Sequence, residues 1–153
     1  FRAYFSFAVT RHPEARFLSA WRYLSAGGGS AADKTFRDKV LGRYSDRRAL
    51  LLRLRAEAQG RGWPRLLDWG HFRPQHRFLG PGRDVCVDRV IGLEELEGEF
   101  GALSARILGA PAPLPKLNPS SGPKPDALDA DERAMLRDIY ADDFALFDYS
   151  PTP

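Results

Sequence analysis

An arginine and a serine, Arg11 and Ser19, stand within nine residues around Pro13, and these are residue types that hold a phosphate dianion. The guanidinium is a planar fork that matches two oxygens of a phosphate or sulfate at once, and a hydroxyl adds one more donor. The chemistry is anchoring an anion rather than transforming it. Residues 4–10 (YFSFAVT) read as a strand that turns at Arg11-His12-Pro13 into a helix, with Pro13 suited to its first position. The pair therefore falls where the carboxyl end of a strand meets a helix, the place where open α/β folds bind ligands. Unpaired amides at the helix start would add to the attraction. Plainer roles compete: Arg11 as a salt-bridged residue at a helix start, and Ser19 as a small residue that lets helices pack closely.

His71 is the second candidate. Its imidazole titrates near neutrality and could take a proton as a general base, or could only order its loop through hydrogen bonds. Arg73, Gln75 and His76 in the same stretch either reach an acceptor or are merely solvated. Three histidines without suitably spaced cysteines or carboxylates give no expectation of a metal site. Gly27-Gly28-Gly29-Ser30 follows a helix and lacks a basic residue, so it reads as a connection and not as a phosphate-cradling loop.

The elements that must position these residues are legible in outline. The run of residues 4–10 is apolar on both faces, as in a strand inside a sheet. Phe17, Ala20, Trp21 and Leu24 recur at helical spacing up to the glycine run. Ser30 or Asp33 would cap a helix to about Leu41, and Ser45 one through Gln59 carrying Leu50, Leu51, Leu54 and Ala58. Residues 60–82 have no clear period and hold two Trp and two His, the composition of a functional loop. Residues 84–91 (DVCVDRVI) alternate like a strand, and Glu94-Glu95 would open a helix to Leu108. A proline-rich stretch, 110–127, reads as an extended linker. Asp129 with Glu132 forms a capping box before Met135, Leu136, Ile139 and Tyr140, and residues 143–147 continue helical. The Tyr140, Phe144, Phe147 and Tyr149 series reads as core packing. Strand, helices, strand, helices argues an α/β fold in a single domain over residues 1–153.

Composition narrows the function classes. Ten Phe, five Tyr and three Trp in 153 residues suffice for a core, which excludes wholesale disorder. Net charge is only +3 with twenty acidic residues; this weighs against an arginine-rich nucleic-acid-binding domain, whose positive charge gathers on one face. Nineteen of the 23 basic residues are arginine, a bias that genome composition alone can produce, so each arginine must be argued by position. Cys86 is the sole cysteine, which excludes an internal disulfide and favours a reducing cytoplasm. No run approaches a membrane span, and the start, Phe1-Arg2-Ala3-Tyr4, reads as though cut from something longer. Membrane or Golgi attachment through a preceding segment stays open.

The segment Arg11-His12-Pro13-Glu14-Ala15-Arg16-Phe17-Leu18-Ser19-Ala20-Trp21 resembles the R-D-P-x-x-R-x-x-S motif of the sulfotransferase superfamily, in particular its carbohydrate-sulfotransferase branch. Four further stretches follow in the same order. His71-Phe72-Arg73-Pro74-Gln75 is similar to H-[WF]-x-P-[QV], and residues 90–96 (VIGLEEL) to a V-G-[RK]-[YF]-E-x-L step. Residues 114–120 (LPKLNPS), which include Asn118, resemble L-P-x-x-N-x-S, and residues 140–149 (YADDFALFDY) resemble Y-x-x-D-[FY]-x-[LM]-F-[GD]-Y. The resemblance implies a partial P-loop-type fold with few parallel strands, a majority of helix and long loops. It implies 3′-phosphoadenosine-5′-phosphosulfate as sulfuryl donor and a carbohydrate or similar hydroxyl-bearing acceptor. It assigns Arg11 and Ser19 to the donor's 3′-phosphate, with Arg16 matching the second motif arginine. His12 departs from the family's Asp, and nothing matches the family's basic Gly-Thr/Ser loop for the 5′-phosphosulfate. A non-catalytic nucleotide-binding remnant is therefore the competing reading.

Overall fold

The computed structural model describes residues 4–61, 65–115 and 127–150. Two short strands, β1 (Phe7–Thr10) and β2 (Arg89–Gly92), pair in parallel with Phe7 opposite Arg89 and Thr10 opposite Gly92. The described residues also form six α-helices: α1 (Pro13–Ser25), α2 (Ala31–Lys39), α3 (Arg47–Ala58), α4 (Leu96–Leu108), α5 (Ala130–Ile139) and α6 (Ala141–Leu146). The architecture is mixed α/β, with a two-stranded parallel sheet among the described residues.

Local chemistry accounts for the helix ends. Pro13 opens α1, where its missing N–H would have had no partner, and Gly27 and Gly28 close it at positive φ. Ser30 caps α2 by accepting from the Asp33 amide, while the Asp33 side chain accepts from the Ser30 amide. Asp129 and Glu132 make the same reciprocal pair on α5. Asp46, not Ser45, caps α3, because its carboxylate reaches the Ala49 amide three residues on.

Most of the core lies between α1, α3, α5 and the 69–79 loop, with Phe17, Leu24, Leu50, Leu51, Leu54, Phe72, Leu136 and Tyr140 essentially inaccessible. Arg47 grips Glu132 through two bonds, Nε to Oε1 at 2.8 Å and Nη2 to Oε2 at 2.6 Å, tying α3 to α5. A smaller cluster of Ile91, Leu96 and Leu103, joined by Phe5 and Phe100, seats α4 on the sheet.

Three expectations need correction. The first strand begins at Phe7, not Tyr4, and it is not covered on both faces: Phe7 and Val9 are 40% and 42% exposed, since β2 is its one partner here. The second strand begins at Arg89, not Asp84. Asp88 captures both the amide and the hydroxyl of Ser6 through its Oδ2 and its own amide donates to the Ser6 carbonyl, while the alternating Val85 and Val87 stay in a loop. The described part of the 60–82 stretch is not a plain loop either; it carries 3-10 turns at Leu66–Asp68 and Gln75–Phe78 and buries Leu66, Leu67, Phe72, Gln75 and His76. Asn118 and most of the expected 110–127 linker lie outside the described residues. No described helix is long and apolar enough to cross a membrane, and Cys86 is free and exposed.

Candidate functional site

Arg11, Arg16, Ser19 and His71 line one cavity of about 280 Å³, together with Ala20, Tyr23 and Gly70. Residues 16, 19, 20 and 23 follow the i, i+3, i+4, i+7 spacing that puts side chains on one helix face. The cavity is therefore built on the flank of α1. Pro13, Glu14 and Ala15 are not in its lining, so the helix-start amides expected to add to the attraction do not border it.

Arg11 is positioned through its backbone. Its amide donates to Gln75 Oε1 and its carbonyl accepts from Gln75 Nε2, each at 2.9 Å. The amide side chain thus mimics a neighbouring strand at the point where β1 turns into α1. Gln75 is held in turn by Asp143 of α6, whose fully buried carboxylate accepts from the Gln75 amide at 2.7 Å, the His76 amide at 2.9 Å and His76 Nδ1 at 2.7 Å. Tyr140 Oη donates to the Phe72 carbonyl at 2.9 Å, and burial pushes its phenol well above the ordinary value. The 72–76 stretch is thereby fixed to the α5–α6 corner, and Arg11 to that stretch.

Arg16 donates from Nη2 to the Gly70 carbonyl at 2.9 Å, bracing the loop through a backbone oxygen instead of an acidic neighbour. Among the described residues neither Arg11 nor Arg16 has a carboxylate within ion-pair distance, whereas Arg47, Arg48, Arg55 and Arg133 all do. Two unmatched guanidinium forks on one cavity attract an oxyanion.

His71 lines the cavity next to Gly70. Its Nε2 lies 3.4 Å from Asp33 Oδ1, and its ring tilts against Tyr23 at 5.3 Å. Asp33 Oδ2 accepts from the Ser30 hydroxyl at 2.8 Å, Tyr23 Oη at 3.0 Å and the Ser30 and Gly29 amides. The Ser30 hydroxyl above all holds the Asp33 carboxyl below its ordinary value, opposed by partial burial. Gly27–Gly29 serve this turn: a side chain on Gly28 would collide with Asp33. Tyr23, Asp33, Gln75 and Asp143 were not singled out for these roles from sequence. From sequence Ser30 and Asp33 are alternative cap candidates, and nothing in that signals the histidine across the turn.

A second, larger cavity of about 510 Å³ opens at the carboxyl ends of both strands, lined by Thr10, His12, Gly92, Glu94, Glu95, Asp148 and Tyr149 among others. His12 turns this way, its amide donating to Glu94 Oε1 and its Nε2 lying 2.9 Å from the Ser150 carbonyl. Tyr149 Oη pairs with Thr10 Oγ1 at 2.8 Å, and burial pushes its phenol up to about 12. Among the described residues no group of three or more His, Cys, Asp or Glu is arranged to hold a metal. No family model, curated protein or solved structure matches this chain.

Proposed function

We propose that the α1 cavity binds the 3′-phosphate of 3′-phosphoadenosine-5′-phosphosulfate, and that the chain is the nucleotide-anchoring portion of a sulfotransferase acting on a hydroxyl of a carbohydrate or similar acceptor. The observation that carries the reading is the convergence of Arg11, Arg16 and Ser19 on one cavity, with no carboxylate matching either arginine among the described residues. The specific donor comes from the ordered resemblance to carbohydrate sulfotransferases. Two forks and a hydroxyl fit a phosphate dianion, and 280 Å³ suits a phosphate with part of its sugar.

Sulfuryl transfer, like phosphoryl transfer, is mainly positioning and charge stabilisation. Holding the 3′-phosphate fixes the far end of the donor, so its binding energy orients a sulfur several bonds away against an in-line hydroxyl. His71 shares the phosphate cavity. It therefore acts at the phosphate end, and another group takes the acceptor's proton. The second reading, nucleotide binding without transfer, is favoured by the glycine run being consumed in the α1–α2 turn, which leaves no glycine-rich phosphate loop at a strand end among the described residues.

Calorimetric titration with adenosine 3′,5′-bisphosphate tests the anchor, with adenosine 5′-monophosphate as control. Binding that requires both the 3′-phosphate and Arg11 supports it; equal affinity for the monophosphate, or an Arg11→Ala variant that binds unchanged, sinks it. Transfer of labelled sulfate from donor to a carbohydrate then separates the enzyme from the binding remnant.

A further inference from the structure

A third cavity, of about 510 Å³, is lined by Arg73, His76, Arg77, Gly80, Pro81, Gly82, Arg83 and Asp142. It shares no lining residue with the α1 cavity. Three guanidinium groups face one carboxylate, and the ion pairs present are weak ones. Arg83 Nε lies 3.3 Å from Asp142, with the arginine side chain 62% exposed, and Arg77 lies 4.0 Å from Asp68 with both partners about half exposed. Exposed pairs of this kind contribute little and exchange readily for a better anion. Arg73 has no carboxylate among the described residues; its guanidinium sits over the Phe78 ring at 5.0 Å, and its Nε is buried without a partner.

The cavity is also built rigidly. His76 is anchored to the buried Asp143 through both its amide and Nδ1. The turn across from it is closed by Cys86 N donating to the Leu79 carbonyl and Asp84 N donating to the Pro81 carbonyl. A Cβ on Gly80 would stand 2.3 Å from the Asp84 carbonyl oxygen, so the close approach of the two turn limbs requires glycine there. A preformed concavity with a surplus of planar cations, one cushioned on an aromatic face, recognises an oxyanion on a sugar-sized ligand.

We infer that Arg73, Arg77 and Arg83 form a second anion site, which takes the sulfate or phosphate monoester of a sugar-sized ligand independently of the α1 cavity. Amide chemical shifts of the 153-residue chain, titrated with N-acetylglucosamine 6-sulfate, with glucose 6-phosphate and with uncharged N-acetylglucosamine, test it. The esters shift the Gly80, Gly82 and Arg83 amides and the uncharged sugar does not; the tighter ester identifies the natural group. The Arg77→Gln/Arg83→Gln variant, altered only at exposed positions, keeps a dispersed spectrum and binds about tenfold or more weakly. Arg73→Lys keeps the charge, loses the fork and also weakens binding. Arg11→Ala leaves the response intact. The inference is overturned if the uncharged sugar shifts the same amides equally, if the double variant binds as well as the parent, or if Arg11→Ala abolishes the response, which would put the ester in the α1 cavity. Because the readout separates Gly80, Gly82 and Arg83 from Ser19, it succeeds or fails apart from the donor-site reading.

Discussion

The α1 cavity and the strand-end cavity lie on either side of the same three residues and differ in sign. Thr10 and His12 line the strand-end cavity beside Glu94, Glu95 and Asp148, while Arg11 between them lines the α1 cavity beside Arg16. The strand-end position is the one that fold rules nominate for ligands, and it is the larger of the two. It is nevertheless the wrong charge for a phosphate, because three carboxylates there repel an anion. Position in a fold suggests where to look, and side-chain charge decides what can stay.

The α1 cavity depends on Asp143 through Gln75 and Arg11, so its removal should break the comparison most severely. Asp143→Ala leaves two buried amides and the His76 ring N–H without their acceptor. Stability should fall by about 3–5 kcal/mol in urea unfolding, and bisphosphate binding should fall with it as Gln75 loosens from Arg11. A loss under about 1 kcal/mol would show that the buried carboxylate is not what fixes the corner.

Charge contrast is tested next. Arg11→Ala should weaken adenosine 3′,5′-bisphosphate by roughly tenfold to a hundredfold, the range of a charge-assisted bond of about 1.5–3 kcal/mol. Glu94→Gln in the strand-end cavity should leave affinity within about a factor of two, since that charge acts only at longer range through screening solvent. Equal effects of the two changes, measured by calorimetry, would dissolve the distinction between the cavities.

A smaller effect is expected from Tyr149→Phe, which removes the partner of the nearly buried Thr10 hydroxyl and should cost about 1 kcal/mol in thermal or urea unfolding. The Tyr149 phenol is raised on folding, so its contribution is complete below its ordinary value of 10.0 and disappears as pH climbs towards about 12. The variant should therefore lose less stability than the parent across that alkaline range.

The most modest change lies on the acid side. Asp33 is held below its ordinary value of 3.8, so its contribution is complete above that pH and is lost as pH falls through the lower folded value. Asp33→Asn should flatten this acid limb, read as melting temperature against pH. A limb of unchanged steepness would show that the turn does not depend on the ionised carboxylate.

Sequence alone determined what is local. The cap at Asp129, a cap at Ser30 or Asp33, the proline start of α1, its glycine stop and the α1, α3 and α5 apolar faces follow from contacts within one or two helical turns, and residue types fix those contacts. The grouping of Arg16 with Ser19 was also legible, because a spacing of three residues puts both on one helix face wherever the helix lies. The tertiary structure decided the rest. Whether Arg11 faced Arg16 or Glu94 depended on Gln75 pairing with its backbone 64 residues away, and His71 met Asp33 only because the 69–79 loop folds onto the α1–α2 turn. The start of the strand pair is likewise clasped by Asp88 reaching Ser6 across 82 residues. Such long-range side-chain captures leave no periodic trace in a sequence: they involve single residues whose partners are chosen by packing, not by spacing along the chain.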